Sequence, residues 1–148
     1  MQPESPAVAR LLRSRGLRPT QARQLILSNL LGRTDHPSAE EIRQALARRG
    51  VAMSVATLYQ NLKRLTGSGV VAGFAGEDGV MRYDANVEPH AHAVCRVCGR
   101  VADVEPGESQ LKGLLAALAR SARHYRDWQI STARVELHGL CPRCRGNA

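Results

Sequence analysis

The stretch HAHAVCRVCGRVADVE, residues 90–105, carries two kinds of metal ligand side by side. Its sulfur ligands are Cys95 and Cys98. Its nitrogen and oxygen ligands are His90, His92 and Asp103. Thiolates favour zinc and other soft ions, whereas imidazole and carboxylate groups together suit a harder divalent ion. The stretch therefore predicts two metal sites that share one short segment.

The only other cysteines are Cys141 and Cys144, so the chain has two CxxC pairs and no cysteine left over. Four thiolates fill the tetrahedral shell of a zinc ion and leave no position for water or substrate. We therefore predict that both pairs form one structural zinc site. A redox dithiol is the main alternative, but neither pair is predicted to lie between a strand and a helix. Four unrelated buried cysteines are a weaker alternative.

The composition allows one domain or two small ones in 148 residues. Aromatic residues make up only 3%, so the core must consist mostly of Leu, Val, Ile and Ala, and a bound zinc ion would help to stabilise it. The first twelve residues contain no apolar run that resembles a signal peptide, and no segment approaches the length of a membrane span. We expect a cytoplasmic protein.

Positive charge is concentrated in the first part of the chain. Residues 1–83 hold 12 Lys or Arg against 6 Asp or Glu, whereas residues 84–148 hold 9 against 7. This excess favours nucleic acid as the partner of the first part. An ordinary arginine-rich surface would give the same balance, so the residue pattern has to decide between the two.

The first part of the sequence predicts short helices. One amphipathic helix covers residues 7–15, and Thr20 can cap a second. The residues of the second helix that are expected to face a core are Ala22, Ile26, Leu27, Leu30 and Leu31. Ser38 and Glu41 have the spacing of a capping box for a third helix, and Ser54 can cap a fourth.

The fourth helix combines apolar and polar residues in the way a DNA-reading helix does. Its apolar residues are Val55, Leu58, Leu62 and Leu65. Its polar and basic residues are Thr57, Tyr59, Gln60, Asn61, Lys63 and Arg64. Because a short turn at residues 51–53 separates it from the third helix, the layout predicts a helix-turn-helix. Strand-like runs at residues 70–75 and 80–83, joined through an Asp-Gly pair, predict a hairpin wing.

Residues 85–89 carry turn formers and little apolar periodicity. We predict a hinge there, between a DNA-binding domain of residues 1–84 and a second domain of residues 90–148. In the second domain, residues 93–95, 100–104 and 129–137 read as strands and residues 111–123 as a helix. The expected fold class is α+β, with an N-terminal winged helix-turn-helix followed by a small α/β domain.

Taken together, these motifs resemble the ferric uptake regulator family of metal-dependent bacterial transcription factors, over about residues 8–145. The motifs that carry the resemblance are LRPTQAR, HPSAEEI, SVATLYQNLKRL, RYD, HAHAVCRVCGRVADVE and CPRC. The resemblance implies a winged helix, an α/β dimerisation domain, a structural zinc ion and a regulatory metal at the junction of the two domains.

The resemblance also implies a set of regulatory metal ligands, which are His36, Asp84, His90, His92 and Asp103. Taken alone, His36 could be a surface or capping residue, and either aspartate could be an ordinary exposed side chain. The HxH pair is harder to dismiss, because alternate residues of an extended chain point to one side. A ligand set without thiolate suits Fe(II) or Mn(II), although zinc also binds such a site where it is available.

Many members of the family have glutamate at the two acidic positions, whereas aspartate is typical of the peroxide-sensing branch. The resemblance therefore favours a repressor that controls peroxide-defence and metal-homeostasis genes, with His36 or His90 oxidised when peroxide meets the bound Fe(II). A regulator of iron, manganese or zinc uptake without peroxide sensing is the nearest alternative. Two more distant alternatives are a nonheme iron enzyme and a nucleic-acid-binding module that zinc stabilises and that has no sensing role. We expect no enzyme activity.

DNA contacts are predicted from the helix-turn-helix. Thr57, Tyr59 and Gln60 are expected to reach base edges or phosphate in the major groove. The residues expected to contact phosphate or the minor groove are Arg18, Arg23, Lys63 and Arg64. Packing or plain solvent exposure is the alternative for each of these residues.

A palindromic operator and a homodimer follow from the use of one winged helix per half-site. The strand predicted at residues 129–137 is the candidate interface, mainly because the resemblance implies it. Ala133, Val135 and Leu137 alternate onto one face, a pattern that fits pairing with another subunit and pairing within the same domain equally. The sequence departs from the family at several positions. Gln60 replaces the arginine of many members, which leaves the operator sequence open. Pro89, Ala91 and Ala133 replace further ligands, so no third metal site is expected.

Overall fold

The computed structural model describes residues 5–88, 90–104, 108–122, 128 and 134–146. The chain divides into two compact units, Met1–Val87 and Glu88–Ala148. Each unit combines helices with a small sheet, which confirms the expected α+β class. The finer division at residues 84, 85–89 and 90 stays a prediction. No helix in the described part of the chain is both long enough and apolar enough to cross a membrane.

The first unit contains four helices and a hairpin. The helices are α1 (Pro6–Ser14), α2 (Gln21–Leu30), α3 (Ala39–Arg48) and α4 (Val55–Gly67), and the strands are β1 (Ala72–Ala75) and β2 (Met81–Asp84). Side-chain caps set three of the helix starts: Thr20 accepts from Arg23 N, and Ser54 accepts from Thr57 N. Ser38 and Glu41 form the capping box in front of α3.

One apolar core holds these helices together. Its largest fully buried members include Leu12, Ile26, Leu46, Leu58 and Leu65. The prediction that Leu31 faces this core is wrong, because its side chain is 41% exposed. Helix α2 ends at Leu30 and Leu31 adopts an extended conformation, so the helical spacing no longer applies to it.

The hairpin is shorter than predicted at its start. Val70 and Val71 are buried in the core and both donate their N–H groups to Leu65 O, so they extend the end of α4 instead of joining the sheet. The paired residues run from Ala72 opposite Asp84 to Ala75 opposite Met81. Asp84 is therefore the last residue of β2.

The second unit contains a three-stranded sheet. Its elements are β3 (Ala91–Cys95), β4 (Val101–Val104), α5 (Glu108–Ala122), β5 (Val135–Gly139) and α6 (Pro142–Arg145). The strand order is β4-β3-β5, with β4 antiparallel and β5 parallel to the central strand. The strand predicted for residues 129–137 begins outside the described residues, since residues 129–133, including Ala133, are not described; the paired segment is Val135–Gly139.

Candidate metal centres and nucleic-acid interface

Four cysteine sulfurs converge in the second unit. One Sγ atom from each of Cys95, Cys98, Cys141 and Cys144 lies within 4.8 Å of the others. The sheet brings them together, because Cys95 ends β3 and Arg96 N donates to Gly139 O, at the end of β5, over 2.9 Å. All four are free thiols, and Cys98 Sγ lies 3.7 Å from Cys141 Sγ. A disulfide needs about 2.05 Å between its sulfurs.

The sulfur geometry fits a zinc ion. A tetrahedral site with Zn–S bonds of about 2.3 Å separates its sulfurs by roughly 3.8 Å, which is close to the spacing between Cys98 and Cys141. One feature departs from the sequence analysis: β5 leads through Cys141 into α6, so the CPRC pair does lie between a strand and a helix. The zinc assignment therefore rests on the convergence of both pairs and no longer on the local context of either.

Backbone hydrogen bonds favour a negative charge in this cluster. The N–H group of Cys141, 3.4 Å from Cys95 Sγ, contributes most to lowering the pKa of Cys95 to about 6. The side-chain hydrogen bond to Cys141 contributes most to raising the pKa of Cys144 to about 12. Cysteine binds zinc as the thiolate, so a divalent cation bound at this cluster would displace thiol protons.

In the first unit, His36 and Asp84 form a buried pair. His36 Nε2 lies 3.2 Å from Asp84 Oδ2, and the two residues are only 1% and 3% exposed. The other carboxylate oxygen accepts from Asn86 N over 2.7 Å. The imidazole ring packs against Phe74, with ring centroids 5.6 Å apart. Burying an imidazole beside a carboxylate costs free energy, and such buried polar groups are common at functional sites.

The backbone around His36 is held in an unusual conformation. His36 has φ of +46°, the only positive value among the described residues other than glycine. The next residue, Pro37, accepts through its carbonyl from Tyr83 N over 3.1 Å, and Ser38 forms an isolated bridge with Arg82. Such a conformation costs free energy and persists where the surroundings impose it, which is common at functional sites. Strand β2 thus holds the segment that presents the imidazole.

In the second unit, His90, His92 and Asp103 form a second group of ligands. Register places His92 opposite Asp103, and Asp103 Oδ1 lies 3.0 Å from His90 Nε2 and 3.8 Å from His92 Nε2. The two imidazole rings are 4.4 Å apart. His90 Nδ1 lies 2.7 Å from Glu88 O, so this nitrogen is placed to donate to the carbonyl oxygen. Two imidazoles beside one carboxylate form a donor set that fits a divalent metal ion.

The predicted DNA-contacting residues lie mostly on the surface of the first unit. The exposed ones are Arg18, Thr57, Tyr59, Gln60, Lys63 and Arg64. On the other side of α4, Leu58, Leu62 and Leu65 are buried. Arg23 is half-buried and donates from Nη1 to Arg18 O over 2.6 Å, so part of its guanidinium is engaged within the fold. Helix α4 thus presents a polar face that is free to meet a groove.

One group of side chains next to the His36 segment was not predicted from the sequence. Arg82 contacts Asp78 in the hairpin turn at 2.9 Å and Glu41 of the capping box at 3.5 Å. Arg82 stands in the RYD motif, but its partners are 4 and 41 residues away. No local pattern could have revealed the longer contact, because it depends on the register of β2 beside α3.

Comparison with known proteins gives a consistent picture. The model of the ferric uptake regulator family matches residues 14–138. The chain is 35% identical over 134 residues to the peroxide-responsive repressor PerR of Staphylococcus aureus, covering 90% of this chain and 86% of that protein.

Solved structures show the same likeness. The ferric uptake regulator of Vibrio cholerae has a TM-score of 0.68 and 27% identity, covering 90% of this chain and 98% of that one. The ferric uptake regulator of Pseudomonas aeruginosa, solved with manganese, has a TM-score of 0.68 and 26% identity, covering 88% and 95%.

Proposed function

The chain belongs to the ferric uptake regulator family, and on that premise we propose that it is a metal-dependent DNA-binding repressor. The observation that carries the proposal is that every side chain of the predicted regulatory set lies in a histidine-carboxylate group. His36 is paired with Asp84 in the first unit, while His90 and His92 meet Asp103 in the second. A repressor of this kind acts on the chromosome, in the cytoplasm, and needs no enzyme activity.

We propose that a single regulatory ion takes ligands from both groups. Such an ion would favour the arrangement of the units in which all five side chains can reach it, by as much as its extra affinity for that arrangement. Metal would then act as corepressor. Three imidazoles and two carboxylates suit Fe(II) or Mn(II), and zinc competes for such ligands when present.

Zinc at the four cysteines has a different role in this proposal. All four ligand positions are sulfur, so the ion cannot bind substrate and would instead stabilise the second unit. Cys95 ends β3, and Cys141 and Cys144 follow β5, so an ion bound to them would link the ends of two paired strands.

Peroxide sensing is the finer part of the proposal. Its support is the pair of aspartates, Asp84 and Asp103, together with the likeness to a peroxide-responsive repressor. In the proposed reaction peroxide oxidises the ring of His36 or His90 while Fe(II) is bound: the ring gains one oxygen atom and one molecule of water leaves. The oxidised ring would be a poorer ligand, so the ion would be lost and repression lifted.

The second candidate is a metal-uptake regulator that does not sense peroxide. The likeness to a ferric uptake regulator solved with manganese and to a zinc-bound manganese uptake regulator favours it. Mass spectrometry separates the two candidates. A gain of one oxygen on a peptide containing His36 or His90, with Fe(II) and peroxide but not with Mn(II), supports peroxide sensing, and its absence contradicts it.

We further propose that the protein acts as a homodimer on a palindromic operator. In the described part of the chain, β5 pairs with β3 on one side only and is an edge strand of its sheet. Leu137 on this strand is 55% exposed. An edge with apolar side chains is suited to pairing with a second copy of the chain. Analytical ultracentrifugation of the zinc-loaded protein tests this, with a monomer as the contradicting result.

DNA binding measured by fluorescence anisotropy tests the main proposal. The probe is the protein's own promoter region, and the zinc-loaded protein is titrated with Mn(II), Fe(II) or Zn(II) without oxygen before peroxide is added. Binding that requires metal and that peroxide abolishes only with Fe(II) is the expected result. Dependence on metal without an effect of peroxide identifies an uptake regulator. Binding that is indifferent to added metal contradicts the regulatory site.

Base reading by α4 has its own test. Gln60→Ala should weaken binding to the operator more than binding to unrelated DNA, because an adenine loses paired hydrogen bonds that contribute roughly 1–3 kcal/mol of discrimination. The matched control is Gln44→Ala on α3, whose side chain donates to Glu40 within its own helix. Equal losses on both DNAs would contradict base reading by Gln60.

A further inference from the structure

Arg82 links the hairpin turn to the start of α3. Its side chain is only 12% exposed, and its guanidinium lies between two carboxylates, Asp78 at 2.9 Å and Glu41 at 3.5 Å. Gly76 leaves room for this arrangement, since a Cβ atom there would come within 2.7 Å of Asp78 Oδ1. A mostly buried cation between two carboxylates has a defined orientation, unlike a pair of mobile surface charges.

The carboxylate of Glu41 connects this cation to the His36 segment. Glu41 Oε2, the atom that faces Arg82, also accepts the N–H of Ser38 over 2.7 Å. Ser38 lies two residues after His36, and its hydroxyl oxygen accepts the N–H of Glu41 over 3.3 Å. The contacts therefore run without a break from Arg82 through Glu41 to the backbone that carries the imidazole.

These contacts matter because His36 has an unfavourable backbone conformation. A φ of +46° in front of a proline is unfavourable by itself, so this backbone conformation persists only while neighbouring contacts impose it. The contacts that hold it include the backbone bonds of Pro37 and Ser38 to β2 and the side-chain contacts through Glu41. Contacts of the second kind can be altered by exchanging a side chain.

We propose that Arg82 is a positioning residue for the regulatory metal, which acts on the ligand His36 through Glu41. This rests on the proposed function, because it takes His36 as a ligand. The same cation also orders the hairpin turn through Asp78, so one side chain supports both the DNA-binding wing and the metal ligand. Removing the contact to Glu41 should therefore weaken metal binding without removing any ligand.

The test measures Mn(II) affinity in the zinc-loaded full chain, by electron paramagnetic resonance of the free ion. Glu41→Gln keeps an oxygen that can accept from Ser38 N but removes the charge that faces Arg82. Arg82→Gln removes the cation. Both variants should bind Mn(II) about tenfold more weakly than the parent protein, the low end of the range for residues that support a metal ligand.

Matched controls are present on the same helix. Glu40 is also in the first turn of α3, but it pairs with Arg43 over 2.7 Å and does not contact Ser38. Glu40→Gln and Arg43→Gln thus remove an ion pair of the same kind without touching the His36 segment, and should keep the parental affinity. Asp78→Asn alters only the contact to the hairpin turn, and should keep Mn(II) affinity as well.

The outcomes distinguish an effect of Arg82 on the position of His36 from an effect on the stability of the fold alone. Thermal unfolding of each variant is measured without Mn(II), and the affinities are compared where all are folded. Weaker Mn(II) binding by Glu41→Gln and Arg82→Gln, with DNA binding by Glu41→Gln restored at saturating Mn(II), supports the proposal. A lower unfolding temperature with parental Mn(II) affinity overturns it. If the parent protein itself binds no Mn(II), the proposed function fails instead, and that result is distinct.

Discussion

At the scale of single residues, Asp84 shows how one side chain can serve both fold and site. One carboxylate oxygen faces His36 and the other accepts from Asn86 N. An amide oxygen can take over the bond to Asn86 but is a much weaker metal ligand. Asp84→Asn should therefore leave the metal-free protein folded. Its Mn(II) affinity should fall by at least about 100-fold, because substituting a residue that only supports a metal ligand already lowers affinity by about 10–100-fold.

Isothermal titration with Mn(II) and circular dichroism measure the two quantities. The control is Asp35→Asn, one residue before His36, because Asp35 is an exposed partner of Arg33. It should not change Mn(II) affinity. An Asp84→Asn protein that binds Mn(II) as the parent does would remove Asp84 from the ligand set.

The acidic side chain of Asp78 gives a prediction about pH. Its pKa lies below the ordinary value of 3.8, first because Val80 N–H donates to it and then because of Arg82. A lowered pKa means that the charged form stabilises the folded turn above pH 3.8 and that this contribution is lost as the pH falls through the lowered value. In Arg82→Gln the pKa of Asp78 should rise but stay below 3.8, since the bond from Val80 remains.

Carbon-13 NMR of the carboxyl group measures this titration in both proteins. Arg43→Gln serves as the control, because Arg43 pairs with Glu40 and does not contact Asp78. An unchanged pKa in Arg82→Gln would show that the contact between Arg82 and Asp78 is absent in solution.

At the scale of elements, α4 has one buried face that packs in the core and one exposed face that we expect to contact DNA. Leu58 is 1% exposed and packs in the core, whereas its neighbour Tyr59 is 53% exposed. Leu58→Ala should lower the free energy of unfolding by about 2–5 kcal/mol because it leaves a cavity. Tyr59→Ala should change it by less than about 0.5 kcal/mol, as surface substitutions usually do.

The same two substitutions should affect DNA affinity in the opposite order. Under conditions where both variants are folded, Tyr59→Ala should weaken binding, whereas Leu58→Ala should bind nearly as the parent does. Denaturant unfolding and anisotropy supply the two measurements. A Tyr59→Ala protein with parental DNA affinity would show that this aromatic ring does not take part in the interface.

Local sequence signals predicted the helices well, and they failed where contacts between elements decide. The caps Thr20, Ser38 and Ser54 start their helices as expected, because capping depends on residues three positions away. Valine is a residue type that favours strands, yet the N–H group of Val70 donates to Leu65 O at the end of α4. The spacing of apolar residues does not show which of two neighbouring elements will bind such a backbone group.

The metal centres show the same limit. The CxxC pairs and the HxH pair are local and were visible in the sequence. The pairing of His36 with Asp84 crosses 48 positions and was implied only by resemblance to a family. The contact of Glu41 with Arg82 crosses 41 positions and was not predicted at all. Both depend on where β2 lies beside the start of α3, which residue types alone do not specify.

At the scale of the whole molecule, the two units differ in what stabilises them. The first has a continuous apolar cluster to which α1, α2, α3 and α4 all contribute. In the second, four cysteine sulfurs converge where β3 ends and after β5, and a zinc ion there would link these strands. Leu114 and Leu118 of α5 are each 49% exposed, so that helix adds little buried surface at these positions. The second unit should therefore depend on zinc far more than the first does.

Zinc removal from the full chain tests this difference. A chelator and a thiol reductant should abolish hydrogen-exchange protection in β3, β4 and β5, while the amides of α2, α3 and α4 stay protected, because folding of a small metal-dependent unit is coupled to metal binding. Cys144→Ser should have the same effect without a chelator, whereas Ser121→Ala, a change of an exposed hydroxyl on α5, should not. Loss of protection in both units together would mean that they fold as one, and retained protection in the second would make zinc dispensable for its fold.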